Sequence, residues 1–78
     1  MGIDVKKFVK ERNEALLSLD KKKIKAYMKK YHVQFEPGNE VVFWAGVHKA
    51  IIGINSATPE QKQRSRDWLT AHGFKPHL

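Results

Sequence analysis

Between Phe43 and Asn55 the chain reads FWAGVHKAIIGIN, thirteen residues with one full charge, Lys49, and one histidine, His48. No other stretch is as apolar, so any core must be organised around it. It is too short and too interrupted to span a bilayer, which takes roughly 20 apolar residues. At about 100° per residue, Phe43, Trp44, Val47, Ala50, Ile51 and Ile54 gather on one broad face, with Gly46, Lys49 and Gly53 opposite. Strand alternation instead groups Trp44, Gly46, His48, Ala50 and Ile52, which separates nothing. The spacing predicts a helix over 40–55, with a hairpin turning near Ala45-Gly46 as the rival, because valine and isoleucine are abundant.

Three further helices are signalled by their ends. In I-D-V-K-K-F, Asp4 can cap while Ile3 and Phe8 stand at the two positions of a hydrophobic staple; in L-D-K-K-K-I, Asp20, Leu19 and Ile24 repeat the arrangement. These starts predict helices over 5–18 and 21–32. The first gathers Val5, Phe8, Val9, Leu16 and Leu19 on one face, with Arg12 among them, its stem on apolar surface and its head reaching for water or a carboxylate. The second carries Ile24, Tyr27, Met28 and Tyr31 at i, i+3, i+4, i+7 spacing. Pro37-Gly38 reads as a turn and Asn39 as the cap of the apolar helix. T-P-E-Q then combines a Thr58 cap, Pro59 in the first turn and Gln61 closing a capping box, so a helix over 59–72 follows. On it Trp68 and Leu69 face inward with Ala71 beside them, and Gln63, Arg66 and Thr70 face outward. Gly73 supplies the stop, and Phe74 can fold back over the helix end. The expected architecture is all-α, a compact four-helix single domain spanning 1–78 with helix three at its centre.

Length and composition narrow the classes. Seventy-eight residues without cysteine leave neither disulfides nor thiolate metal sites. A chain of this size buries only about 60–65% of its unfolded surface, so packing alone must hold it with a thin margin. Fifteen Lys and Arg oppose eight Asp and Glu, for a net +7. The excess is one-sided: residues 1–31 carry ten bases and four acids, residues 32–78 five and four. That asymmetry points to an acidic partner, whether nucleic acid, an anionic membrane or an acidic protein. The start MGIDVKKFVKERNEALL alternates charge with apolar residues, unlike a secretory leader, and Lys6 stands where a myristoylation signal needs Ser or Thr. The expected location is cytoplasmic, with no membrane partner.

The run K-K-K-I-K-A-Y-M-K-K holds Lys21, Lys22, Lys23, Lys25, Lys29 and Lys30 and no acid. Lys22, Lys25 and Lys29 share one helical face, a stripe that can follow a phosphate backbone; a merely solvated face is the alternative. Three of these lysines fall in a first helical turn, where the macrodipole disfavours cations by a few tenths to about 1 kcal/mol each. Lysines supply affinity for a backbone and no sequence reading. Base reading would fall to helix four, where Gln63 and Arg66 suit adenine and guanine edges, with Arg64 assisting. The short S-A-T connection resembles a helix-turn-helix, although the usual glycine-containing turn is missing. Single-strand binding is disfavoured on this reading, because Tyr27 and Tyr31 are needed inside.

Other chemistry is thin. His32, His48, His72 and His77 show no H-x-x-x-H pair, so no metal or other cofactor is expected. No nucleophile–base pair, paired carboxylates or phosphate-cradling glycine loop is visible, so no enzyme is expected. His48 reads as a partly buried histidine satisfied by a neighbour. Gly46 and Gly53 flank Lys49 seven residues apart on the outer face of helix three, a smooth strip suited to close approach of another helix. That strip carries the alternative reading, a protein-interaction or dimerisation module.

E-V-V-F-W-A-G-V-H-K-A followed by a basic helix ending W-L-T-A-H-G-F resembles small uncharacterised proteins carried by bacterial phages and integrated mobile elements. The likeness covers most of the chain and implies a bacterial cytoplasmic setting with an accessory DNA-handling or regulatory role. It carries over no site residues; Phe43, Trp44, His48 and Lys49 are the first place it directs attention. The combined expectation is a small basic nucleic-acid-binding protein contacting DNA or RNA phosphates through the helix-two lysines.

Overall fold

A computed structural model describes residues 4–35 and 38–76. They form four helices, α1 (Val5–Ser18), α2 (Lys21–Lys30), α3 (Glu40–Ile52) and α4 (Pro59–Ala71), and no strand occurs among the described residues. The fold is all-α, and the apolar stretch is a helix; the hairpin is excluded. The chain divides into two compact units, Met1–Phe35 with α1 and α2, and Glu36–Leu78 with α3 and α4.

The first unit is a helical hairpin whose connection is two residues long. Asp4 accepts from the Lys7 backbone N–H and starts α1; Asp20 accepts from the Lys22 N–H and starts α2. Ile3, the expected staple partner of Phe8, lies outside the described residues. Phe8 itself packs on α2, with its ring 4.8 Å from Tyr31 and 5.8 Å from Tyr27, and the two tyrosines are 5.8 Å apart. Ile24 is fully buried, Ala15 and Leu16 nearly so. Val5 and Leu19, expected on the inner face, are exposed. Leu19 serves as the helix stop instead: at φ 54° it ends α1 in the left-handed region, with its N–H bonded to the Leu16 carbonyl. A leucine there costs about 1–2 kcal/mol that glycine would avoid. Arg12 turns its fork onto the Asn13 side-chain oxygen at 3.1–3.2 Å rather than onto a carboxylate.

Helix α2 stops at Lys30, two residues before the expected end. His32 adopts φ 55°, its N–H bonds to the Lys29 carbonyl, and the Val33 N–H returns to the Met28 carbonyl. This pair of reversed bonds is a Schellman motif with histidine where glycine is usual. Helix α4 ends the same way, with Gly73 at φ 81°, Gly73 N–H to Thr70 and Phe74 N–H to Leu69.

The second unit contains most of the buried residues. Phe43, Ala45, Val47, His48 and Ile51 of α3 are buried, and Ile54 and Ala57 pin the connection that follows. Leu69 of α4 is fully buried, contributing about 1.5–3 kcal/mol by removal from water. The buried arc of α3 is turned toward Ala45 and His48 and away from Ala50, which is exposed. The rotation has a partner on α4: Ser65, 2% exposed, faces His48. Helix α3 stops at Ile52, because Gly53 and Ile54 turn their N–H groups to Ala50 and Ile51 in tighter i−3 bonds. The capping box at Thr58 and Gln61 forms as the motif requires, at 3.1 and 2.8 Å.

Candidate functional site

The α2 lysines are sorted by the helix they stand on. Ile24, Tyr27, Met28 and Tyr31 occupy the inner side, so Lys22, Lys25 and Lys29 are carried to the opposite one, and all three are exposed. The stripe from Lys22 to Lys29 is about 10 Å long at 1.5 Å per residue. Among the described residues none of the three is paired with a carboxylate. Lys21 is half-buried at the edge of the stripe, and Lys23 is exposed on its other flank.

Lys30 is different. Its ammonium lies 2.8 Å from one carboxylate oxygen of Glu11, and the Tyr31 hydroxyl donates to the other. Lys30 and Tyr31 together hold the Glu11 carboxyl below its usual range, and Glu11 in turn raises both partners. Lys30 is therefore committed to tying α2 to α1. Lys23 and Lys30 also line the groove between these helices, facing Glu11, Glu14 and Tyr27. Mixed charge makes that groove a poor phosphate site, and the uniformly basic surface is the outer stripe.

The α4 candidates belong to the other unit. Arg64 is exposed and Arg66 half-buried. Gln63 donates through its side-chain amide to the Asp67 carboxylate at 2.9 Å, so its amide is engaged one turn along its own helix. On α3, Lys49 is exposed with its ammonium 6.0 Å from the centre of the Phe74 ring, and Gly46 is half-buried. Gly53 caps the helix, so the cost of an interior glycine falls on Gly46 alone.

The most elaborate cluster joins His48, expected to be satisfied by a neighbour, and the inward Trp68 to Ser65 and His72, which were not expected there. His48 Nδ1 and Ser65 Oγ share a buried hydrogen bond of 2.9 Å, which leaves no orphaned polar atom there. The His48 ring lies 4.7 Å from Trp68 at 24°, Trp68 stacks on His72 at 3.9 Å and 19°, and Phe74 is nearly parallel to Trp68 at 6.3 Å. Burial, reinforced by His72, pushes the His48 imidazole below its ordinary value. The Trp68 carbonyl can only accept, so the His72 bond to it at 2.8 Å fixes the proton on Nδ1. A signal for this cluster was present: Ser65, Trp68, Leu69 and His72 follow i, i+3, i+4, i+7 spacing. Ser65 escaped because a lone serine is seldom a core position.

Among the described residues no group of His, Asp and Glu converges to hold a metal ion, and no helix is long and apolar enough to cross a membrane. No family model, no curated protein and no solved structure matches this chain.

Proposed function

We propose that the protein binds nucleic acid through phosphate contacts made by Lys22, Lys25 and Lys29, with Lys21 alongside. The observation that carries this reading is a row of three exposed cations on one face of α2, none paired with a carboxylate among the described residues. The row begins in a first turn that holds three lysines and no acid. Such a surface is unfavourable for the free protein and becomes favourable when phosphates replace its counterions. The role that fits is that of a small accessory or regulatory protein of the bacterial cytoplasm, of the kind carried by phages and mobile elements. Affinity for backbone comes from α2; any base reading by Gln63 would require it to release Asp67.

The test is an amide chemical-shift titration with a short mixed-sequence duplex at about 50 and 200 mM salt. Three phosphate contacts weaken binding about 40-fold between those conditions. Shifts concentrated on residues 20–30, lost at the higher salt and in the Lys22→Gln/Lys25→Gln/Lys29→Gln variant, support the reading. Unchanged affinity in that variant overturns it. The alternative is then an interaction module using Gly46, Lys49 and Gly53, whose signature is a mass that rises with concentration at high salt.

A further inference from the structure

The end of α4 presents aromatic rings in a way that core packing does not require. Trp68 and Phe74 are partly exposed, and His72 is exposed. Their planes are nearly parallel, 19° between Trp68 and His72 and 14° between Trp68 and Phe74. His72 and Phe74 are each held from the backbone side. The His72 Nδ1–H donates to the Trp68 carbonyl, and Phe74 is placed by its N–H bond to Leu69 across the Gly73 turn. Rings fixed in advance lose little freedom when a flat ligand arrives.

The surroundings are cationic. Lys49 reaches over the Phe74 ring from α3, and exposed Lys75 follows Phe74 directly. Asp67, the acid adjoining Trp68 in sequence, is already engaged by Gln63. Trp68 is already stacked on His48 and His72, so the ring open to a base is exposed His72, with partly exposed Phe74 beside it. An exposed ring that ends a stack, beside cations that pair with no carboxylate among the described residues, matches what single-stranded nucleic acid offers, a flat base next to a phosphate. A duplex hides its base faces and cannot use the rings.

We propose that the Trp68–His72–Phe74 surface is a stacking platform for an unpaired nucleobase, with Lys49 and Lys75 holding the adjoining phosphates of a single strand. This rests on the nucleic-acid reading for its partner class, but it uses none of the α2 lysines, so the two can fail separately. It also reverses the expectation that the chain lacks aromatics for single strands. Tyr27 and Tyr31 are indeed occupied in the hairpin, and the available rings lie on α4 and just beyond it.

The experiment uses the full chain carrying Trp44→Phe, which leaves Trp68 as the only tryptophan. Its fluorescence is titrated with a thymidine homopolymer of about 12 nucleotides and with an abasic strand of equal length. The expected result is quenching by the homopolymer and an affinity at least about fivefold above that of the abasic strand. His72→Ala with Phe74→Leu removes that ratio, and Lys22→Gln/Lys25→Gln/Lys29→Gln lowers both affinities while preserving it. Homopolymer binding that survives the α2 changes and is lost in the ring variant leaves the platform standing and removes the α2 reading. Equal affinity for the two strands, a ratio unchanged in the ring variant, or no binding of either strand overturns the platform. Circular dichroism checks folding. Should the ring variant lose helix, Lys49→Gln with Lys75→Gln replaces it: weaker homopolymer binding supports the platform, and unchanged binding overturns it.

Discussion

The two units achieve the same hairpin of helices by different means. Unit two closes on seven buried apolar residues between Phe43 and Leu69, with the His48–Ser65 pair satisfied among them. Unit one has three among its described residues, Ala15, Leu16 and Ile24, and supplements them with half-buried rings and a carboxylate that grips an ammonium and a hydroxyl. The unit with the thinner core carries ten of the fifteen bases. Surface given over to cations is surface unavailable for burial, and in a chain this short the two demands are met in different places.

The comparison can be broken most directly at Leu69. Leu69→Ala removes a fully buried side chain and should cost about 2–5 kcal/mol in urea denaturation. Tyr31→Phe, which deletes the hydroxyl held by Glu11 and keeps the ring stack, should cost less. The reverse order would mean that unit one is held more firmly than its buried residues imply.

Acid should weaken the units in sequence. His48 is held below its ordinary 6.5 by burial and then by His72, so the folded state resists a proton that the unfolded chain accepts. Its contribution is complete above 6.5 and is lost as pH falls from there toward the lowered folded value. Glu11 is held below its ordinary 4.5, so its contribution persists to about that pH and is lost only as pH falls through the lowered value. Amide exchange followed from about pH 7 to about pH 4 should show protection declining in α3 and α4 before α1 and α2. Simultaneous decline would remove His48 as the cause.

The two Schellman ends give a smaller and sharper test. His32→Gly should raise stability by up to about 1 kcal/mol, and Gly73→Ala should lower it by about 1, because each position needs a left-handed backbone. Thermal melts measure both. Smallest of all is Lys22→Glu, which should stabilise α2 by a few tenths to about 1 kcal/mol through the macrodipole while weakening duplex affinity. A gain in stability with a loss in binding would show that the lysines are maintained against the helix they sit on.

Much of the fold was legible because helix ends are written locally. Asp4, Asp20, Asn39 and Thr58 each accept from the N–H that their positions require, and α1 begins and ends where its pattern predicts. What escaped depends on the partner helix. Ala45 is buried, Ala50 is exposed and the neighbour that satisfies His48 is Ser65 because of how α4 lies against α3, and no period within α3 contains that information. The fate of Lys30 was hidden for the same reason. Six lysines look alike in sequence, and only the approach of Glu11 from α1 separates the one that builds the hairpin from the three on the open face.

The two-residue connection at Leu19-Asp20 has a consequence in time as well as in space. The helices that pack are neighbours in the chain, α1 with α2 and α3 with α4. Little loop must be closed before their contacts are rewarded, and local pairings of this kind form within microseconds to milliseconds. During synthesis, at about 5–20 residues per second, the last residue of the first hairpin is added seconds before the last helix is complete. Its internal contacts can therefore form while the rest of the chain is still being made.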